Sequence, residues 1–410
     1  MRIIVWGINY APEVTGIAPC NVALCEFLHQ RGHDVEMVTS FAYYPQWEKR
    51  PEDRGRVFRT DVINGVRVHR CWHYVPRKVS AAKRILHEGS FVAFSFLRAL
   101  ILKKADIVIV VSPPLLLGAA AWLLTRIRSN SYHFHVQDLQ PDAAVGLNML
   151  KPGRFTRMLY RLEAFAYRHA RTVSGIGQGM IDAFVRKGVP AEKIALLPNG
   201  FDVTGAARPS SVDFRARYGW NSDQFLAVYS GNLGVKQGLE ILPAAAALLK
   251  NDKIQIVICG DGARRALLES EIARLNLGNI RLLPLLDDAA YRAMLQTANV
   301  CLITQQSGSG NAFLPSKLLP TLAYRRAVIS VADTDSALAQ AVADGQFGVN
   351  ILPGTPDSAA HLANALETLA QNPLQLASFS ENGHAYVSRF DHERVLADFE
   401  RVLLQTKLFR

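Results

Sequence analysis

The chain has 410 residues, 49% of them hydrophobic and 20% charged, globular values that allow a sizeable core divided over about two to three domains. Five scattered cysteines, an odd number with no zinc spacing (Cys20, Cys25, Cys71, Cys259, Cys301), argue against a disulfide framework and for buried thiols in a reducing compartment. The formal charge of +11 is uneven: residues 1–205 carry 27 Lys+Arg against 16 Asp+Glu, and residues 206–410 carry 19 of each, so the excess sits wholly in the first half and suits an anionic surface or partner.

Met1–Gly7 reads as a first buried strand rather than a signal peptide. Strand-like runs follow at Arg2–Trp6, Asp34–Thr39, Val66–Cys71, Ile107–Val111, Ser131–Val136 and Thr172–Gly175, with helical runs such as Cys20–Arg31 and Leu115–Arg128 between them. Ile107–Thr125 is uncharged and approaches the roughly 18 residues of a bilayer span, but Ser112-Pro113-Pro114 cuts it into a strand, a loop and a core helix. Asn199–Asp202 and Ala206–Ser211 read as a turn and a linker. A second series of strands begins at Phe225–Ser230 and continues through Ile254–Cys259, Ile280–Leu283, Val300–Thr304, Ala327–Val331 and Gly348–Leu352. The alternation predicts two doubly wound α/β domains, 1–200 and 212–389, facing a central cleft. An amphipathic run at Glu393–Leu404 predicts a C-terminal helix, about 390–410, packing back on the first domain. The first βα loop, Gly7–Ile17, lacks the three-glycine dinucleotide fingerprint and contains Pro12, which counts against a nicotinamide or flavin enzyme.

The stretch Ser307–Ala332 carries the strongest chemical signal. A Gly-rich loop with Gly308 and Gly310 leads to Pro315-Ser316-Lys317, then an apolar helical run, then the strand-like Ala327–Val331. Backbone N–H groups and a lysine at a helix start form an anion site, so the pattern is either a diphosphate cradle or a solvated lysine on a core helix.

Several motifs carry a family resemblance. Tyr229-Ser230-Gly231-Asn232-Leu233-Gly234-Val235-Lys236-Gln237-Gly238 and Gly260-Asp261-Gly262 resemble loops of GT-B glycosyltransferases. Pro198-Asn199-Gly200-Phe201-Asp202 is similar to the Pro-Asn-Gly-Val-Asp run of glycosyltransferase family 4. Val136–Asp142 and Pro315-Ser316-Lys317 resemble an exopolysaccharide and O-antigen subgroup that includes colanic acid biosynthesis fucosyltransferase-like enzymes. The family's paired glutamates, eight apart, fall here at about Ser309 and at Lys317. Its usual arginine and lysine are replaced by Asn232 and Gln237, with Lys236 one residue earlier.

The resemblance implies a GT-B fold and transfer of a sugar, with retention at the anomeric carbon, from a GDP- or UDP-sugar. Lys317 and Lys236 would stabilise the leaving diphosphate, with donors from Ser316, Gly308 and Gly310 and the wall completed by Asn232, Gln237, Gly260 and Pro315. Leu286 lies in the segment where the family places the base. Gly16, with Thr15, would let the first loop approach donor phosphate or acceptor. Asp138, near the family's usual histidine, is either a base or positioning group for the acceptor hydroxyl or a local backbone cap. His133 and His135 share a strand face, as packing or as substrate contacts. Asp261 either caps its own turn or binds ligand. No cofactor is expected, and no residue set has the look of a metal site.

Tyr74–Lys104, aromatic and aliphatic with basic flanks, reads as a membrane-interface helix or as a core helix with basic ends. Arg154, Arg157, Arg161 and Arg168 recur at helical spacing. Together these favour a cytoplasmic enzyme, peripheral on the anionic inner face of the plasma membrane, acting on a polyprenyl-diphosphate-linked glycan. Nucleic acid is disfavoured because the second half is neutral and no nucleic-acid module is visible. A GT-B nucleotide-sugar epimerase and an inactive nucleotide-sugar-binding scaffold are the rival readings.

Overall fold

The computed structural model describes residues 1–14, 16–78, 80–128, 130–146, 153–308 and 315–408. The chain forms two units, Met1–Gly200 with His392–Arg410, and Phe201–Asp391. The linker-like residues 206–211 therefore count with the second unit.

The first unit is built on strands β1 (Arg2–Trp6), β2 (Asp34–Ser40), β3 (Phe58–Ile63), β4 (Val66–Cys71), β5 (Ile107–Ser112), β6 (Ser131–Val136), β7 (Thr172–Gly175) and β8 (Ile194–Leu196). Their order is β3-β4-β2-β1-β5-β6-β7-β8. All pairs are parallel except β3–β4. That hairpin turns on Asn64 (φ 48°) and Gly65 (φ 85°), the left-handed pair that a two-residue hairpin turn requires. β5, Ile-Val-Ile-Val-Val-Ser, is buried at all six positions, as a central strand covered on both faces must be.

Successive strand residues feed opposite cores. Ile3, Val5, Met37 and Ile109 pack with Leu24 and Leu28 of the helix Ala18–Gln30 and with Phe399 and Leu403 of the helix His392–Leu408. Ile4, Trp6, Val108 and Val110 pack with Phe91 of the helix Ala81–Ile101 and with Leu117 and Leu124 of the helix Leu116–Arg128.

The helix Ala81–Ile101 thus buries one face while Ile85, Leu86, Leu97 and Ile101 stay exposed. In the helix Arg154–His169, Arg154, Arg157, Arg161 and Arg168 are exposed. Its one acid, Glu163, turns inward, where Lys187 Nζ (2.6 Å) and Tyr167 Oη (2.9 Å) donate to it. The outward face is therefore more basic than the sequence of this helix suggests. Among the described residues, no helix is long and apolar enough to cross a membrane.

The second unit has strands β9 (Phe225–Ser230), β10 (Ile254–Cys259), β11 (Ile280–Leu283), β12 (Val300–Thr304), β13 (Ala327–Val331) and β14 (Gly348–Ile351), all parallel, in the order β11-β10-β9-β12-β13-β14. Chain order reverses between β9 and β12, so the loops after these strands diverge and leave a crevice at their carboxyl ends.

Candidate functional site

That crevice holds a cavity of about 600 Å³. Ser230, Gly231, Asn232, Lys236 and Gln237, after β9, form one wall. Pro315, Ser316 and Lys317 form another, and Leu285, Leu286, Asp288, Tyr291 and Pro320 close the far end. The loop after β9 is fixed by backbone bonds from Gly231 N to Cys259 O (2.9 Å) and from Leu233 N to Asp261 O (2.8 Å). Gln306 N donates to Lys236 O (2.8 Å), tying the turn that carries Lys236 to the chain leaving β12.

Lys317 is the N-cap residue of the short helix Leu318–Ala323. Its Nζ sits 3.9 Å from the centroid of the Tyr229 ring, a cation–π contact that leaves the ammonium without a carboxylate partner among the described residues. Burial pushes its pKa down to about 8. Gly231 has φ 141°, a backbone conformation that demands glycine, and a Cβ there would lie 3.0 Å from that Nζ and nudge the ammonium aside. An ammonium held this way is compensated best by an incoming anion.

The structure therefore brings together Lys236, Lys317, Asn232, Gln237, Leu286, Pro315 and Ser316. Other candidates lie elsewhere. Gly260 sits behind the cavity wall, where a Cβ would come 1.9 Å from Gly231 O. Asp261 Oδ1 accepts from Gly262 N (2.8 Å), a local turn bond. Gly308 N donates to Asp333 Oδ2 (2.6 Å), so this amide already has an anionic acceptor. Thr15, Ser309 and Gly310 lie outside the described residues.

Gly16 and Asp138 belong to the first unit, on a cavity of about 430 Å³ at the carboxyl ends of β1, β2, β5 and β6. Desolvation raises the Asp138 pKa, opposed by the charge of Arg84. Glu88 is raised for the same reason and is held by Arg84 Nε (3.2 Å), with Gln140 Nε2 at 3.4 Å from each of its oxygens. Arg84, His87 and Glu88 fall at i, i+3 and i+4 of the helix Ala81–Ile101 and so share the face that lines the cavity.

Sequence reasoning missed these three, and also Tyr43, Tyr44 and Trp47. The signals were the helical spacing and the aromatic density of Tyr43-Tyr44-Pro45-Gln46-Trp47 directly after β2. His133 and His135 lie off this cavity. Burial lowers them to about 3 and about 4, Ser174 Oγ lies 2.7 and 2.8 Å from their rings, and both pack on Phe399.

Residues 15–200 match the family model described as a glycosyl transferase 4-like domain, and residues 211–386 match glycosyl transferases group 1. The chain is 32% identical, over 83% of its length and 85% of the relative's, to WcaI of Escherichia coli, whose name assigns it to colanic acid biosynthesis as a glycosyl transferase. Among solved structures, sucrose-phosphate synthase of Thermosynechococcus elongatus aligns with TM-score 0.72 at 18% identity over all of both chains. HepE of Anabaena, solved in complex with UDP, aligns with TM-score 0.69 at 17% identity over 99% of this chain and 100% of its own.

Proposed function

This chain belongs to the family 4-like glycosyltransferases of GT-B fold, and we propose that it moves a sugar from a GDP- or UDP-sugar to a lipid-linked glycan in bacterial exopolysaccharide or O-antigen synthesis. The observation that carries this reading is Lys317, a cation held against an aromatic ring in the switch-point cavity and ion-paired with no carboxylate among the described residues. As the bond between sugar and diphosphate breaks, negative charge grows on the departing phosphate oxygens. Lys317 and Lys236 stabilise that charge, with Ser316 as a hydroxyl donor. These cations do without a metal in our reading. The UDP bound by HepE supports a nucleoside diphosphate as the leaving group.

Transfer proceeds with retention, and the acceptor hydroxyl loses its proton either to the departing phosphate or to Asp138. The raised pKa of Asp138 brings its carboxylate nearer the strength a base needs at neutral pH. Gly16 sits on the same cavity wall and lets the first loop approach the acceptor closely. The WcaI relationship supports a polysaccharide pathway. The exposed Ile85 and Leu86, the arginine face of 154–168 and the positive first half support peripheral attachment to the anionic inner face of the plasma membrane.

The test is donor-dependent nucleotide release over a panel of GDP- and UDP-sugars, with and without a bacterial membrane lipid extract and with EDTA present. Release with one donor, enhanced by the extract and insensitive to EDTA, is the expected result. Binding without release from any donor would move the protein to the scaffold class.

A further inference from the structure

The first-unit cavity has the composition of a carbohydrate subsite, and one residue in it is held under backbone strain. Trp47 has φ 55°, a left-handed conformation that a bulky residue adopts only when its surroundings impose it. The surroundings are on hand. Glu13, 7% exposed, accepts from the backbone N–H groups of Tyr43 and Tyr44 (2.9 Å each) and from Asn9 Nδ2 (2.8 Å), which clamps this loop to the one after β1. Glu48 N donates back to Tyr43 O (3.2 Å), closing the turn around Trp47. The indole meets the Tyr43 ring at 5.4 Å and the His87 ring at 5.1 Å, so two aromatic neighbours fix it while it remains part of the cavity wall.

Around it the cavity presents Glu88 and Asp138 as acceptors and, among the described residues of its wall, Arg84 as the one cationic side chain. A pyranose has an apolar face of C–H groups and a rim of hydroxyl donors. An aromatic plane beside carboxylates answers both. Two carboxylates against one guanidinium disfavour a further negative charge.

We propose that Trp47 is the platform on which the acceptor's terminal sugar stacks, that Glu88 binds its hydroxyls, and that this sugar is an uncharged pyranose rather than a uronic acid. This rests on the glycosyltransferase reading above and adds the class of acceptor residue. No bond is made or broken by Trp47 or Glu88; they position the acceptor.

The test is saturation-transfer NMR on the full chain with methyl pyranosides of glucose, galactose and mannose and with methyl glucuronide, for the wild type, Trp47→Phe, Trp47→Ala and Glu88→Gln. At least one neutral pyranoside should bind through its ring protons, Trp47→Phe should keep that signal, and Trp47→Ala and Glu88→Gln should weaken it by roughly tenfold or more. Methyl glucuronide should give none. In turnover with lipid extract, Trp47→Ala should raise the KM for acceptor and not that for the donor, while Trp47→Phe restores it; an unchanged thermal transition of the first unit in calorimetry checks that Trp47→Ala leaves that unit folded.

Equal pyranoside binding by Trp47→Ala and wild type, glucuronide binding as strong as that of the neutral sugars, or no pyranoside binding at all would each overturn the proposal. Wild-type transfer with an unaltered acceptor KM in Trp47→Ala would remove the platform and leave the transferase. Wild-type failure to release nucleotide from any donor would remove the transferase itself.

Discussion

Lys317 carries a cost that its ligand removes. Its folded-state pKa is depressed, so the penalty for charging it in the empty protein is present below pH 8 and fades as pH rises from there into the ordinary lysine range. A bound diphosphate reverses this by favouring the ammonium. Affinity for GDP or UDP should therefore fall as pH rises above about 8, with proton uptake on binding, as calorimetry in buffers of different ionisation enthalpy can measure. Lys317→Ala should abolish that pH dependence and lower turnover on the order of 10²–10³-fold; unchanged donor affinity would refute the role. Gly231→Ala forces a side chain into φ 141° and against Lys317 Nζ. It should cost ~1–3 kcal/mol of stability in denaturant titration and weaken nucleotide binding as well. Lys317 stood out in the sequence because a lysine after a Gly-rich loop is a local signal. Trp47 did not, since nothing in its neighbours announces a positive φ. Glu88 did not, since its i,i+4 pairing with Arg84 is common on any helix surface and its other partner, Gln140, meets it only in the folded unit.

Elements differ in how openly they are written. The central strands of both sheets follow the apolar runs almost residue for residue, because parallel strands buried on two faces favour Val, Ile and Leu. Such buried polar residues of β2, β4 and β6 as Glu36, His69, Arg70, His133 and His135 are each hydrogen-bonded. β3 escaped notice: its residues alternate with charge, as an edge strand's do, and the signal lay in Asn64-Gly65 rather than in the run itself. β8, Ile194–Leu196, is too short for any period to register. The helix Arg154–His169 shows how composition can mislead at this scale. Glu163 looks like a counter-charge to the arginine face, yet it points inward to Lys187 and Tyr167. Arg154, Arg157 and Arg161 pair with no carboxylate among the described residues. Replacing these three by Glu should therefore reduce flotation with anionic vesicles at low salt, while thermal unfolding stays nearly unchanged because the three are exposed. Undiminished flotation would place any membrane contact elsewhere.

At the scale of the whole molecule, the first unit is assembled from two distant parts of the chain. Phe399 and Leu403 are 3% and 1% exposed, packed on β1, β2 and β5, and Glu400 is bonded to Arg31 Nε (3.1 Å) and His33 Nε2 (2.8 Å). Phe399→Ala should destabilise this unit by ~3–5 kcal/mol, read as a lowered first transition in calorimetry; a shift below about 1 kcal/mol would mean that the helix only rests on the surface.

The same arrangement sets a timetable for synthesis. When the ribosome has released residues 1–200, the sheet face of Ile3, Val5 and Met37 has its helix Ala18–Gln30 but not the helix that carries Phe399. At about 5–20 residues per second, the wait until residue 399 is translated lasts on the order of 10–40 seconds. During that interval an apolar groove beside Leu24 and Leu28 is open to water and to other nascent chains. A cell making this protein has to keep that groove occupied or let it wait, and crowding more ribosomes onto the message would shorten the distance between such grooves without shortening the wait.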